Sequence, residues 1–313
     1  MMFNEDKTKE MKFKRTLLIV LIIIVTLLLP LIFNKNEHVS FDAPDLSEIE
    51  YSEVFFINET NNLKLAGMLM VPEGEGPFPT VVIIQGSGPS FRNNGWYLSV
   101  LKHLQDNGIA AIIPDKRGCE KSEGEWIGAN FEELATDALS TIEFVKTQNS
   151  FKYSYIGLVG MSQGGWIAPI AATKTNDVSF IANISGATIS TDEQLLYEEI
   201  NNISAYTYPF IAKLIAPMTS DRIKKMEHFS SLVGFDPIPY WKEVNIPVFL
   251  AFGEDDKNVP VSACIDRLKE NHLNNYKIKT YPKGGHGIIN IESKTMNKAY
   301  LNDLVTFIKE IKN

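Results

Sequence analysis

The sequence has few cysteines and no excess of positive charge. Only two cysteines, Cys119 and Cys264, occur in 313 residues, too few for the disulfide framework of a small secreted protein. We interpret both as packing residues, with a single bridge between them left open. The chain has 30 Lys+Arg against 38 Asp+Glu, a formal net charge of −8, whereas a nucleic-acid-binding protein needs a basic surface for phosphates. The sequence therefore predicts no nucleic-acid partner.

Sequence signatures of a bound metal or nucleotide are also missing. The sequence has no His-x-x-x-His pair and no carboxylate cluster of the kind that holds a catalytic metal. The stretch GSGPS at 86–90 lacks both the G-x-G-x-x-G spacing and a P-loop lysine. We therefore predict neither a metal nor a cofactor. Hydrophobic residues make up 44% and charged residues 22%, which fits a globular chain with a sizeable core and not a disordered one.

An apolar run near the N terminus predicts a segment that targets the chain to a membrane. It covers residues 17–33, is broken by Thr26 and Pro30, and follows five basic residues within 1–16. At about 17 residues it is near the lower limit for a bilayer-spanning helix and the upper limit for a signal-peptide core. Because no small-x-small cleavage site and no lipoprotein cysteine follows, we favour an uncleaved signal anchor. Residues 1–16 would then be cytoplasmic, 34–50 a tether, and the remaining domain outside the cell. Secretion after cleavage is the alternative.

The remainder of the chain, 51–313, has the pattern of one α/β domain. Strand-like alternation on both sides of a turn at 59–62 predicts an antiparallel hairpin. Short runs that are apolar on both faces, typical of a buried parallel sheet, lie at 80–85, 109–114, 155–160, 180–185, 248–253 and, more weakly, 276–282. Amphipathic stretches predict helices at 96–105, 131–145, 165–173, 262–273 and 301–311. We therefore predict a doubly wound, mostly parallel α/β sheet with an antiparallel hairpin at one edge.

This alternation of strands and helices stops between about 188 and 240. The stretch is helical in character and rich in Tyr, Phe, Ile and Met. An insertion of about 50 residues between two strands is most simply a helical cap over the strand ends, where the active sites of such sheets lie. Ordinary peripheral helices are the alternative.

A nucleophile motif stands at the end of the run at 155–160. Residues 160–164 read G-M-S-Q-G, the G-x-S-x-G of a sharp strand-to-helix turn whose flanking positions must be nearly free of side chain. A serine hydroxyl is a weak nucleophile until a base takes its proton, so a carboxylate and a histidine should follow Ser162 along the chain. Asp255 and Asp256 follow the run at 248–253, and His286 lies in the glycine-rich loop KGGHG. The remaining histidines lie in the predicted tether, helices and cap and are poorer candidates for the base.

From about residue 51 to the C terminus, these motifs resemble the α/β-hydrolase superfamily. Within it, the chain resembles membrane-anchored or secreted bacterial serine esterases related to the prolyl-oligopeptidase and dienelactone-hydrolase branches. The family's G-x-x-D-x-x-V-P turn falls on Gly253, Asp256, Val259 and Pro260. The resemblance therefore favours Asp256 over Asp255 as the acid of a Ser162–Asp256–His286 catalytic triad.

An acyl-transfer site also needs donors for the oxyanion of its tetrahedral intermediate. We predict the backbone N–H of Gln163, directly after the nucleophile, and that of Ser87, in the loop QGSGPS after the apolar run at 80–85. The family commonly has His-Gly at the start of this loop, where this chain has Gln85 and Gly86. This departure affects the hydrogen bonds behind the oxyanion hole and not the donors themselves.

Two further charged segments match the family without carrying the reaction. PDKRGCEKSEG at 114–124 resembles the family's D-x-R-G-x-G-x-S loop, with Glu120 at the second glycine. We interpret Asp115 and Arg117 as a structural ion pair or a brace of this loop. Arg92 is a tentative substrate-binding residue, facing a carboxylate or carbonyl group of the substrate.

The leading hypothesis is a serine hydrolase that cleaves small or medium acyl esters through an acyl-enzyme. Aminopeptidase or thioesterase activity on the same triad is the alternative, with a short peptidyl or acyl substrate. A catalytically silent binding module on a hydrolase scaffold is a distant third, because one fold can host different functions. The sequence leaves the acyl and leaving groups and the oligomeric state open.

Overall fold

The computed structural model describes residues 2–33 and 41–311. In this part of the chain, eight strands form one sheet in the order β1-β2-β4-β3-β5-β6-β7-β8. Its strands are β1 Ser52–Asn58, β2 Leu63–Met70, β3 Phe78–Ile84, β4 Ala110–Pro114, β5 Tyr153–Met161, β6 Val178–Ile184, β7 Val248–Gly253 and β8 Lys277–Tyr281. A separate small pair consists of β9 Ile289–Asn290 and β10 Thr295–Met296. The helices are α1 Met2–Phe33, α2 Gly95–Asp106, α3 Phe131–Thr147, α4 Gly164–Thr173, α5 Thr191–Ser204, α6 Pro209–Ile223, α7 Glu227–Ser230, α8 Ile238–Glu243, α9 Val261–Glu270 and α10 Lys298–Glu310.

The sheet confirms the predicted fold class. The first two strands pair antiparallel and β2 pairs antiparallel with β4, whereas β4, β3, β5, β6, β7 and β8 are parallel. Each predicted apolar run lies in one of these parallel strands, and the hairpin forms β1 and β2. Every residue of β4 and β7 is buried, because helices cover both faces of a parallel sheet. The fold is that of the α/β-hydrolases.

The core consists of two apolar layers, one on each face of the sheet. One layer packs the sheet against α3 and α4, with Leu158 and Ile167 among its members. The other packs it against α2 and α10, with Phe249 and Leu304 among its members. The layers fix the central strands from both sides, and so they fix the loops at the carboxyl ends of those strands.

Both cysteines are buried and unbridged, as their interpretation as packing residues requires. Cys119 follows β4 and Cys264 lies in α9. A bridge between them is therefore absent from the described structure.

Helices α5 to α8 occupy the interval of the predicted cap, between β6 and β7. Helix α5 begins at a capping box, in which the Ser190 hydroxyl accepts from the Glu193 N–H and the Glu193 carboxylate accepts from the Ser190 N–H. Such a box satisfies backbone donors that the first turn of a helix leaves unpaired. The interval therefore has defined helical structure directly after a central strand.

The N-terminal segment differs in part from its prediction. Helix α1 includes the apolar run, but among the residues that the structure describes no helix is long and apolar enough to cross a membrane. The signal anchor at 17–33 and the location outside the cell therefore stay predictions. Of the predicted tether, 34–40 lie outside the described residues. The rest packs on the domain: Ile49 is buried and the Asp42 N–H donates to the Lys294 carbonyl at 2.6 Å.

Candidate active site

The site begins at the turn between β5 and α4, where Ser162 adopts a left-handed backbone with φ +52°. The turn is possible because Gly160 and Gly164, two residues before and two after Ser162, carry no side chain. A Cβ on Gly160 would lie 2.3 Å from the Gly164 carbonyl oxygen, and a Cβ on Gly164 would lie 2.1 Å from that of Ile84. The Ser162 N–H donates to the Ile184 carbonyl at 2.9 Å, which ties the turn to β6. This local strain presents the serine side chain above the sheet.

Two other loops bring an imidazole and a carboxylate to this serine. The Nε2 atom of His286 lies 2.9 Å from Ser162 Oγ, and its Nδ1 atom lies 2.8 Å from Asp256 Oδ2. Asp256 follows β7 and His286 follows β8. Because the carboxyl ends of parallel strands meet at one edge of the sheet, three segments far apart in sequence form one hydrogen-bonded chain.

The structure distinguishes the two adjacent aspartates. The Asp256 side chain is fully buried, and its Oδ1 atom accepts the N–H groups of Asn258 and Val259 at 2.8 and 3.0 Å. Asp255 is exposed and accepts the Gly285 N–H at 2.8 Å. Asp256 thus orients the imidazole of His286, while Asp255 supports the backbone of its loop.

Cap helix α5 holds the loop that carries the carboxylate. Tyr197 donates its hydroxyl to the Asp256 carbonyl at 2.8 Å, and Gln194 donates its amide to the Asn258 carbonyl at 2.7 Å. Neither residue lies in a motif, so no sequence signal identified the contact of either residue with the carboxylate loop. The contacts link the position of the cap to the geometry of the carboxylate loop.

The predicted oxyanion donors line the same cavity as the serine. Within the described residues, the backbone N–H groups of Ser87 and Gln163 donate to no other protein atom. Next to Ser87, the Gly86 N–H donates to the Tyr97 hydroxyl at 2.9 Å. The Gln85 side chain donates to the Pro114 carbonyl. Gln85 therefore makes a hydrogen bond behind the loop at the position where the family commonly has histidine.

The charged residues near the site require two corrections. Arg92 does not line the cavity: its guanidinium binds Asp115 through two hydrogen bonds of 2.8 and 2.7 Å and also contacts Glu53. These partners raise the pKa of Arg92, with Asp115 the main cause. Of the two interpretations of Asp115 and Arg117, the ion pair is wrong, because Arg117 instead pairs with Asp137 of α3 at 2.8 and 2.9 Å. The bracing role fits, since Asp115 also accepts the Lys121 N–H of its loop. Both arginines brace the framework, and Arg92 has no substrate-facing role in this geometry.

A cavity of about 550 Å³ lies above the serine and is closed on one side by the cap. Its apolar wall consists of Trp126, Leu134, Trp166, Leu195, Phe229 and Leu232. Polar groups of α5 and the carboxylate loop line another part: Gln194, Glu198, Glu199 and Asn258. His228 of α7 also lines it. The volume and mixed lining suit a small organic molecule with an apolar portion.

Residues 2–33 and 41–311 contain no group of three or more His, Cys, Asp or Glu side chains that could hold a metal ion. The imidazole and carboxylate at the site are instead engaged with each other. The arrangement can therefore activate a hydroxyl by proton transfer.

The chain is similar in sequence to known hydrolases. Residues 139–292 match the BAAT / acyl-CoA thioester hydrolase C-terminal family, and this segment contains Ser162, Asp256 and His286. Esterase EstD of Thermotoga maritima is 26% identical over 288 residues, covering 87% of this chain and 68% of that protein. The bifunctional esterase/perhydrolase DCH of Acinetobacter calcoaceticus is 24% identical over 270 residues, covering 75% of this chain and 94% of that protein.

Solved structures give the same fold. The Pyrococcus furiosus esterase Pf2001 superposes with a TM-score of 0.66 at 20% identity, covering 87% of this chain and 98% of that one. The superposition shows that the chain has the α/β-hydrolase fold. With the family match and the related sequences, it identifies the chain as a hydrolase.

Proposed function

We propose that the protein is a serine carboxylesterase that cleaves small or medium acyl esters through an acyl-enzyme. The observation that carries the proposal is the hydrogen-bonded chain from Ser162 Oγ through His286 to Asp256. A nucleophile, a base and an orienting acid are the groups with which a Ser-His-Asp site makes a hydroxyl attack a carbonyl at neutral pH. Relatives named as esterases support the same reaction class.

The first half-reaction acylates the serine. His286 Nε2 takes the proton of Ser162 Oγ as this oxygen bonds to the carbonyl carbon. The carbonyl oxygen becomes an anion that accepts the free N–H groups of Ser87 and Gln163. Collapse of this intermediate breaks the bond to the alcohol oxygen, which takes the proton from His286. The products are a free alcohol and an ester on Ser162.

The second half-reaction releases the acid. A water molecule gives a proton to His286 Nε2 and attacks the acyl carbon, forming a second oxyanion in the same hole. Its collapse breaks the bond to Ser162 Oγ, which recovers its proton from His286. Throughout, the Asp256 carboxylate accepts from Nδ1–H and stabilises the imidazolium.

A thioesterase is the second candidate, supported by the match to the acyl-CoA thioester hydrolase family. The cavity lining argues for a neutral alcohol instead of coenzyme A as the leaving group. Glu198 and Glu199 line it from α5, and carboxylates repel the phosphates of coenzyme A. The ester therefore fits this site better.

Hydrolysis by the full chain tests the proposal. We would measure kcat/KM on a chain-length series of chromogenic esters, on acyl-CoA thioesters and on aminoacyl anilides, for the parent, Ser162→Ala and Ser293→Ala. Ser293 is an exposed serine in a loop and serves as the matched control. We expect ester hydrolysis that falls by about 10⁵-fold or more in Ser162→Ala and stays unchanged in Ser293→Ala. Equal activity of the parent and Ser162→Ala would refute the mechanism, and a preference for acyl-CoA would favour the thioesterase.

A further inference from the structure

A buried lysine lies beneath the predicted oxyanion loop. Lys116 follows β4, is 7% exposed and lines the cavity that contains Ser162. Its ammonium donates to the backbone carbonyl of Gly86 and, at 2.8 Å, to that of Gly88. Among the described residues no carboxylate lies within 4.0 Å of it, since the neighbouring Asp115 binds Arg92. The two loop carbonyls are therefore the principal partners of this charge.

These carbonyls are on either side of the Ser87 backbone N–H. The Gly86 carbonyl and the Ser87 N–H belong to one planar peptide unit and, in a trans peptide, point in opposite directions. A donor that holds the carbonyl on one side fixes the direction of the N–H on the other. Tyr97 holds the preceding peptide through the Gly86 N–H at 2.9 Å, so the orientation of the Gly86–Ser87 peptide is set from two directions.

The charge also acts on the strength of the donor. When a peptide carbonyl accepts a hydrogen bond from a cation, the electron density of the unit shifts toward its oxygen and the N–H becomes a better donor. In a buried site this polarisation is only weakly screened by water.

We propose that Lys116 is a positioning residue of the oxyanion hole, which orients and polarises the Gly86–Ser87 peptide so that the Ser87 N–H stabilises the developing oxyanion. The inference rests on the proposed serine-hydrolase function and adds a residue that no motif identifies. Lys116 touches neither the nucleophile nor its base, and it acts through the backbone of the loop.

A purely space-filling role would not need a lysine here. Burial lowers the pKa of Lys116 from its ordinary value of 10.5 to about 8, because moving a charge out of water is unfavourable. An apolar side chain of similar length, such as methionine, would fill the space without that cost. Burying this ammonium group therefore costs stability, and the group lies at the position where it contacts the loop carbonyls.

Kinetics of three full-chain variants test the inference. Lys116→Met removes the donors and keeps the volume, Lys116→Arg keeps N–H donors, and Lys64→Met removes an exposed lysine from β2 as a matched control. We expect Lys116→Met to lower kcat about 10- to 100-fold, less than or similar to the loss of one oxyanion donor, with KM changed less than about threefold. Lys116→Arg should recover part of the loss, and Lys64→Met should retain parental kinetics. Thermal unfolding of each variant confirms that it is folded.

Inhibitor binding separates positioning from a general change of the cavity. An alkyl boronic acid forms a tetrahedral adduct with the serine and places an oxygen in the hole, whereas the matching dialkyl ether fills the cavity without one. In Lys116→Met we expect the boronic acid to bind more weakly by the same factor as kcat falls, and the ether to bind unchanged. Equal weakening of both ligands, or a kcat within twofold of the parent, would overturn the inference.

The same assays distinguish the two proposals. If Ser162→Ala abolishes activity and Lys116→Met retains it, the serine mechanism stands and the role of Lys116 is wrong. If Ser162→Ala is as active as the parent, both are wrong.

Discussion

The substitution Asp256→Asn tests whether the Asp256 carboxylate determines which ring nitrogen of His286 carries the proton. Asp256 Oδ1 accepts two backbone N–H groups, from Asn258 and Val259, while Oδ2 faces His286 Nδ1 at 2.8 Å. An asparagine must keep its oxygen toward the two N–H donors, because its NH₂ group would otherwise face donors only. Its NH₂ group would therefore face Nδ1 and force this ring nitrogen to be the acceptor. The imidazole proton then lies on Nε2, directed at Ser162, and the base cannot accept the serine proton.

The expected loss follows from that wrong tautomer. In a Ser-His-Asp site it lowers kcat by about 10⁴-fold while the geometry stays intact, so the unfolding midpoint should change little. Asp255→Asn is the matched control: this carboxylate is exposed and accepts one N–H, from Gly285 at 2.8 Å, which an asparagine oxygen can also do. We expect it to retain activity within about threefold.

Steady-state kinetics on the best chromogenic ester, with thermal unfolding of the same samples, decide the outcome. A loss in Asp255→Asn as large as in Asp256→Asn would refute the assignment of the acid. An Asp256→Asn enzyme with a tenth or more of parental kcat would refute the tautomer argument itself.

Three further predictions concern the residues that support the site. Tyr97→Phe removes the acceptor of the buried Gly86 N–H, and we expect the free energy of unfolding in urea to fall by about 1–3 kcal/mol; an unchanged midpoint would contradict this. Arg117→Met removes the cationic partner of the Asp137 carboxylate and leaves it the Asn58 amide as a buried donor. Unfolding should therefore require about 3–5 kcal/mol less than in the parent, with the double variant Arg117→Met/Asp137→Leu recovering part of the loss. Burial lowers the pKa of Lys116 in the folded chain to about 8, so between pH 8 and 10.5 this lysine binds more protons in the unfolded chain than in the folded one. As pH rises through this window, the parent should therefore gain up to about 3 kcal/mol of stability relative to Lys116→Met. A stability difference between the two proteins that does not change with pH would exclude the lowered pKa.

The strands and the nucleophile turn could be predicted because their signals are local. A run that is apolar on both faces, such as 248–253, needs a covered sheet wherever it lies, and the structure has β7 at those residues. The glycines on either side of Ser162 are required by the backbone of one sharp turn. The resemblance to a family added the choice of Asp256 over Asp255, which the spacing alone had left open.

The partners of the buried charges could not be predicted, because they lie on other elements. Arg117 is two residues from Asp115, yet its partner Asp137 is on α3, and Asp115 binds Arg92 from another loop. Because Asp115 and Arg117 are close in sequence, we expected them to pair, but the turn after β4 directs the two side chains to different partners. The same turn directs Lys116 toward the loop after β3, which no periodicity or motif indicates.

Local patterns in the chain predict the α/β fold and an order of serine, carboxylate and histidine, since apolar periodicity and turn glycines act over a few residues. Only the packing of distant segments decides which charges meet, how the cap helix α5 holds the carboxylate loop and which loop residues line the cavity with Ser162. These features depend on the packing of segments that are tens of residues apart. Their hydrogen bonds depend on the two apolar layers, which hold the ends of the strands in place.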